Sequence, residues 1–249
     1  MTYCVGLRLQ EGLVFLADTR TNAGVDNVSR FRKLFSWQVP GERAIVMMTA
    51  GNLSITQGVV NRLNRAIKRA EQAGDEDGGV ETILNAESLH RVAQIVGRAM
   101  LEQQERHRAG LEAQGAAADA SLILGGQRRG GRHRLFLIYA AGNFIEAGSD
   151  TPFFQIGEFK YGKPILDRVI DADTPLDVAQ QAAFVSMDST LRSNLSVGMP
   201  LDLALLRADR FGTLEQRRIA GDDQAFARIS SGWSQALRDA FDRLPPVSD

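Results

Sequence analysis

The chain has 249 residues, 29 Lys and Arg against 30 Asp and Glu, and one cysteine, Cys4; its length suits a single domain over residues 1–249 with one substantial core. Cancelling charge gives no basic field for non-specific nucleic-acid binding, and a lone cysteine gives neither a disulfide framework nor a zinc cluster. No signal-peptide pattern opens the chain and no apolar run nears the ~20 residues of a membrane span, so a soluble cytoplasmic protein with neither nucleic acid nor membrane as partner is expected.

Short apolar runs at Thr2 to Leu9 and Leu13 to Asp18, separated by Gln10-Glu11-Gly12, predict a hairpin. Thr19 to Asn27 is small and polar and reads as a loop. Lys33 to Trp37 and Arg43 to Thr49 form a second strand pair around Pro40-Gly41, so four antiparallel strands are expected by residue 50. Ile55, Val59, Leu63, Ala66, Ile67 and Ala70 then recur at helical spacing, predicting a helix from Leu53 to Ala73 with Ser54 as its cap. The acidic stretch 74–79 reads as a mobile loop. A second helix has Leu89, Val92, Ala93, Ile95, Val96, Ala99 and Met100 on its apolar side.

Alternation returns at Ala118 to Leu124 and Arg134 to Ala140, with Gly125 to Arg132 as the connecting hairpin. Short strands are expected at Asn143 to Glu146 and Phe153 to Ile156, and a helix from Lys163 to Ile170. Another helix opens at Thr174-Pro175. Strands at Leu201 to Leu206 and Thr213 to Ile219 precede a last amphipathic helix at about 223–244, whose apolar side is wider than a solvated tail requires. This order gives an α+β fold: two packed antiparallel sheets with helix layers outside.

The residues that could carry chemistry start at Thr2. If Met1 is removed, Thr2 carries a hydroxyl and a free amine on one carbon skeleton, and an adjacent amine can activate an otherwise poor nucleophile. Asp18 ends an apolar strand and Lys33 begins another after a loop long enough to set the two strands side by side. Near Thr2, Lys33 would favour the neutral amine and the alkoxide; alternatively, the pair is a salt bridge that only fixes the loop. Gly51, between strand and helix, can present an N–H to a substrate oxyanion or serve as ordinary turn chemistry. Cys4 is expected to be a buried structural thiol, and His90, His107 and His133 are too scattered to hold a metal.

Thr2, Ala17-Asp18-Thr19-Arg20, Lys33 and Thr49-Ala50-Gly51 before a long helix together resemble the proteasome β-subunit and the HslV peptidase. The segment Ala17 to Gly24 brings the chain nearer to the Anbu (ancestral β-subunit) group. The resemblance implies a four-layer αββα sandwich of the N-terminal nucleophile hydrolase type, with an extra C-terminal helix, and a threonine peptidase without cofactor. It makes Thr2 the nucleophile, its amine the base, Asp18 and Lys33 the charge-setting pair and Gly51 the oxyanion donor. Thr21, Thr49 and Leu53 would border the substrate pocket, and Arg20 would buttress the loop. A homo-oligomeric ring, open ring or helical arc is implied; an ATPase partner, subunit number and ring closure are not decided.

The chain departs from the family pattern in two places. Gly157-Glu158-Phe159 stands where the family has Gly-Ser-Gly, and a carboxylate there would pair with an ammonium at Thr2 and make its amine a poorer base. Ser193 to Gly198 replaces the Arg-Asp…Ser-Gly segment, with Asn194 and Ser196 as counterparts of the family's residues. These departures leave two alternatives to a peptidase: an amidohydrolase for small amides or isopeptides, and a non-catalytic oligomeric scaffold that keeps Met1.

Overall fold

The computed structural model describes residues 1–22, 28–73, 80–211 and 214–246. Twelve strands and five helices are present among them. The first half of the chain supplies β1 (Tyr3–Leu9), β2 (Gly12–Asp18), β3 (Arg20–Asn22), β4 (Val28–Arg30), β5 (Leu34–Val39) and β6 (Arg43–Gly51), then α1 (Leu53–Ala73) and α2 (Leu89–Glu112). Strands β7 (Ala120–Arg128), β8 (Arg134–Ile138), β9 (Phe144–Glu146) and β10 (Phe153–Gly157) follow. The chain closes with α3 (Lys163–Val169), α4 (Leu176–Ser193), β11 (Leu201–Arg207), β12 (Glu215–Ile219) and α5 (Gln224–Phe241).

The strands form two five-stranded sheets, ordered β10-β1-β2-β11-β12 and β5-β6-β7-β8-β9, and a separate β3-β4 ladder. Both hairpins expected before residue 50 form, but in different sheets: β1 pairs with β2 and β5 with β6. Successive side chains on a strand point to opposite faces, and the three apolar clusters follow that alternation. Cys4, Phe15 and Ala17 of the first sheet meet Ala44, Val46 and Met48 of the second. On the opposite face of the first sheet Tyr3, Val5 and Leu7 pack on Leu166 of α3 and Ala183 and Met187 of α4. Behind the second sheet Ile45 and Met47 pack on Ile55 and Val59 of α1 and Val92 and Val96 of α2. Helices thus cover both outer faces of a face-to-face pair of sheets.

Several expected boundaries shift. The stretch read as a loop from Thr19 to Asn27 begins with β3, which pairs with β4 just beyond it, Arg20 opposite Arg30 and Thr21 opposite Ser29; residues 23–27 lie outside the described residues, as do 74–79 and Thr213. Ser54 does not cap α1. Asn52 does, its Oδ1 accepting from the N–H of Ser54 at 3.0 Å and of Ile55 at 3.4 Å. Strand β7 runs on through Gly125 and Gly126 to Arg128 rather than turning at Gly125. These glycines are packing residues, since a Cβ on Gly125 would lie 2.7 Å from the Phe15 ring of the facing sheet. Among the described residues no helix is long and apolar enough to cross a membrane.

Candidate active site

The site forms where β1 begins, β2 ends and the chain passes into β5. Asp18 is fully buried and Lys33 nearly so, and Lys33 Nζ lies 2.7 Å from Asp18 Oδ1. The sequence reading set their strands side by side; in the structure they belong to opposite sheets, because the two strand pairs stack instead of joining. The lysine therefore spans the gap between the sheets, its side chain 4% exposed.

A buried carboxylate is retained only with donors around it. The N–H groups of Tyr3 (3.0 Å), Arg20 (3.1 Å) and Gly198 (3.2 Å) also donate to Asp18. Burial pushes the Asp18 carboxyl up from its ordinary range, while Lys33 and the Tyr3 and Gly198 N–H groups oppose that shift. Four donors on two oxygens favour the ionised pair, so Asp18 fixes Lys33 as a positive charge. Lys33 Nζ donates further to the Arg20 carbonyl at 2.6 Å and to the Met1 carbonyl at 3.3 Å. This last contact puts the ammonium beside the peptide that joins Met1 to Thr2.

Thr2 is 9% exposed, at the floor of a cavity of about 510 Å³. Lys33, Gly51 and Glu158 line the same cavity, as do Thr21, Thr49 and Leu53. Seven of the ten residues expected at the site thus share one cavity, although they come from the residue before β1, from β3, the residue before β5, β6, the start of α1 and the loop after β10. Asp18 sits behind it. Asn194 and Ser196 are not brought to it: Asn194 Oδ1 accepts from Ser196 N–H at 2.9 Å, closing the turn after α4. That turn reaches the site through its backbone instead. Gly198 N–H meets Asp18, and Arg20 Nη1 donates to the Leu195 carbonyl at 2.8 Å.

Two glycines shape the cavity wall. Gly157 has φ +82°, and a Cβ there would fall 1.8 Å from the Thr2 carbonyl oxygen; that oxygen accepts from Glu158 N–H at 2.7 Å. Gly51 has φ +100°, with a Cβ position 2.3 Å from the Asp119 carbonyl, so only glycine leaves this backbone open towards the cavity. The Glu158 carboxylate lies 3.8 Å from Lys160. The Met1 amine is lowered from its ordinary range, first by burial and then by Lys33, against Asp18 and Glu158. Cys4 is buried at 0% exposure, and burial drives its thiol pKa upward, which fits a structural thiol.

Sequence reasoning missed Ser29, Phe31, Asn52, Ser54 and Thr56 on the cavity wall. Asn52, Ser54 and Thr56 had a signal in their place on the first turn of α1, immediately after Gly51. Ser29 and Phe31 had none, since the β3-β4 ladder that carries them to the cavity was not legible. Among the described residues no group of three His, Cys, Asp or Glu side chains could hold a metal ion.

No family model and no curated protein matches this chain. Solved structures do. Anbu (ancestral beta-subunit) from Yersinia bercovieri is 47% identical over 99% of both chains, with a TM-score of 0.90. An Anbu (Gly-1) mutant from Hyphomicrobium sp. strain MC1 is 47% identical over the whole of both chains, with a TM-score of 0.89. The structure described as the helical assembly of the Anbu complex from Pseudomonas aeruginosa is 45% identical, covers 99% of this chain and 98% of its own, and has a TM-score of 0.90. Likeness of this extent spans the sheets, the helices and the cavity together, and the chain belongs to the Anbu, or ancestral β-subunit, family.

Proposed function

We propose that the chain is a proteasome-like threonine hydrolase of the N-terminal nucleophile type, cutting peptide bonds once Met1 has been removed. The observation that carries this reading is the meeting of Thr2, Lys33 and Gly51 in one cavity, with buried Asp18 holding the lysine. Thr2 Oγ attacks the substrate carbonyl carbon while the Thr2 α-amine takes the hydroxyl proton. The Lys33 ammonium, beside the peptide that precedes Thr2, favours the neutral amine and the developing alkoxide. Gly51 N–H donates to the tetrahedral oxyanion, which collapses, expels the amine product with the proton and leaves an ester on Thr2. Water activated by the amine hydrolyses the ester. Thr21, Thr49 and Leu53 contact the substrate, and Glu158 favours the ammonium form, so that less of the amine is free to act as base. The four packed layers are those of the αββα hydrolase sandwich, formed as a single domain. The helical assembly of the Pseudomonas relative supports a homo-oligomer, as a ring or an open helical arc.

The test compares wild-type and Thr2→Ala protein whose intact mass shows that one methionine has been lost. A threonine-reactive electrophile and a peptide library should label and report on the wild type, with activity falling at least about 100-fold in the variant. Failure of both on mass-confirmed protein overturns the hydrolase. Faster cutting of short amides than of unfolded chains would reassign the substrate to small amides, and full retention of Met1 in natively expressed protein would favour the scaffold.

A further inference from the structure

A second cavity of about 490 Å³ lies against the first and shares Phe31 with it. Its other lining residues include Arg30, Arg32 and Arg218, and among the described residues no carboxylate lines it. It continues into a smaller recess of about 250 Å³ that adds Arg217 and Asp202. Asp202 belongs to Arg218, which grips it with two hydrogen bonds of 2.8 and 2.9 Å, and Arg217 is paired with Asp223. Arg30 and Arg32 are exposed, and neither is in an ion pair among the described residues.

The fold itself concentrates this charge. Arg20 and Arg30 are directly opposite in the β3-β4 ladder, an arrangement that repels unless an anion or another acceptor draws the heads apart. Arg20 turns to the Leu195 carbonyl; Arg30 turns to the cleft. In the next segment Lys33 points inward to Asp18 and Arg32 outward into the cleft. A guanidinium matches a carboxylate with two parallel donors, and a concave wall of one sign focuses its field on a ligand.

From this we propose that the arginine cleft is an anion-selecting subsite: the hydrolase prefers polypeptides carrying a glutamate or aspartate near the scissile bond, whose carboxylate is held by Arg30 and Arg32. The proposal rests on the reading of the neighbouring cavity as the acylation site. Phe31 lines both cavities, so an extended substrate that crosses it from the Thr2 cavity brings a neighbouring side chain, at one of the positions flanking the cut bond, into the cleft. Glu158 is the carboxylate on the Thr2 side of Phe31, and it discourages an acidic side chain from binding there instead.

The experiment separates binding from turnover. Fluorescent peptides identical but for Glu, Gln or Lys at those positions are titrated by anisotropy into full-length Thr2→Ala protein at low and moderate salt. The Glu peptide should bind about tenfold more tightly than the Gln peptide, with the ratio shrinking as salt rises. The ratio should fall towards one in an Arg30→Gln/Arg32→Gln double variant. An Arg30→Glu/Arg32→Glu variant should reverse the preference towards the Lys peptide, which lost packing alone would not do. On mass-confirmed active protein kcat/KM should follow the same ranking. Equal binding of Glu and Gln peptides, or a Glu preference that survives in both double variants, overturns the subsite. Selective binding without labelling of Thr2 by the electrophile would keep the subsite and reject the hydrolase.

Discussion

Lys33 carries most of the site's energetics at the scale of single residues. It is one half of a buried ion pair and donates to two backbone carbonyls besides, so replacing it leaves the Asp18 charge uncompensated between the sheets. Such a replacement typically costs about 3–5 kcal/mol, whereas removing both charges together costs less. Lys33→Met should therefore lower unfolding free energy by about 3 kcal/mol in urea titrations at fixed protein concentration, and Asp18→Asn/Lys33→Met should recover part of that loss. A Lys33→Met variant as stable as wild type would show that the carboxyl is held neutral. Asp18 and Lys33 were legible in the sequence because a charge at the end of an apolar strand needs a partner. The Tyr3, Arg20 and Gly198 N–H donors were not, since a backbone donor has no side-chain signature. Asn194 and Ser196 were named as counterparts in the family resemblance, while the contacts from their turn are made by the Leu195 carbonyl and the Gly198 N–H.

Among the elements, legibility followed the strength of the periodic signal. The α1 stripe from Ile55 to Ala70 gives the observed limits of the helix, and its first half, Ile55 to Leu63, is buried behind the second sheet. The short apolar runs marked β1 and β2 as a hairpin but not which other strands lie alongside. Only the folded chain shows β11 beside β2, and β5 in the opposite sheet. The short β3-β4 ladder has no apolar alternation at all. His133 illustrates a contact between elements that sequence cannot place: just before β8, its Nε2 lies 2.6 Å from the Leu9 carbonyl at the end of β1 and donates to it. Half-burial lowers its pKa, outweighing the Leu9 hydrogen bond that raises it, with Arg8 and Arg132 lowering it further and Asp209 raising it. The unfolded chain takes up this proton near pH 6.5 and the folded chain resists it, so the unfolded state binds more protons below that pH. The contribution is fully present above about pH 6.5 and is lost as pH falls through the window below it. Urea midpoints should drop further between pH 7.5 and 5.5 in wild type than in His133→Gln, which retains a donor but does not titrate. Equal drops would reject the assignment.

At the scale of the whole molecule, α5 shows where the subunit ends and its surroundings begin. Phe226, Ile229, Trp233, Leu237, Phe241 and Leu244 recur at three and four, a single apolar stripe along the helix and the turn after it. Phe226 and Ile229 pack on the core behind the first sheet, and Trp233 is half-buried. Beyond that point the stripe continues without cover: Leu237 is 50% exposed, Phe241 73% and Leu244 62%. A stripe needed only for the subunit's own core would stop with it. Uncovered apolar surface of this kind suits contact with another molecule, and under the proposed homo-oligomer that molecule is a second copy of the chain. Phe241→Glu places a charge in that contact and removes nothing buried within the subunit. Sedimentation or light scattering should then show a shift towards smaller species, with the far-UV spectrum kept. Unchanged assembly in Phe241→Glu and in Leu237→Glu would assign the stripe to something other than self-association. Because no residue of α5 lines the arginine cleft or the Thr2 cavity, labelling of Thr2 in the dissociated variant also separates chemistry from assembly. Retained labelling would mean that each subunit builds its own active site, and loss would mean that a neighbour completes it.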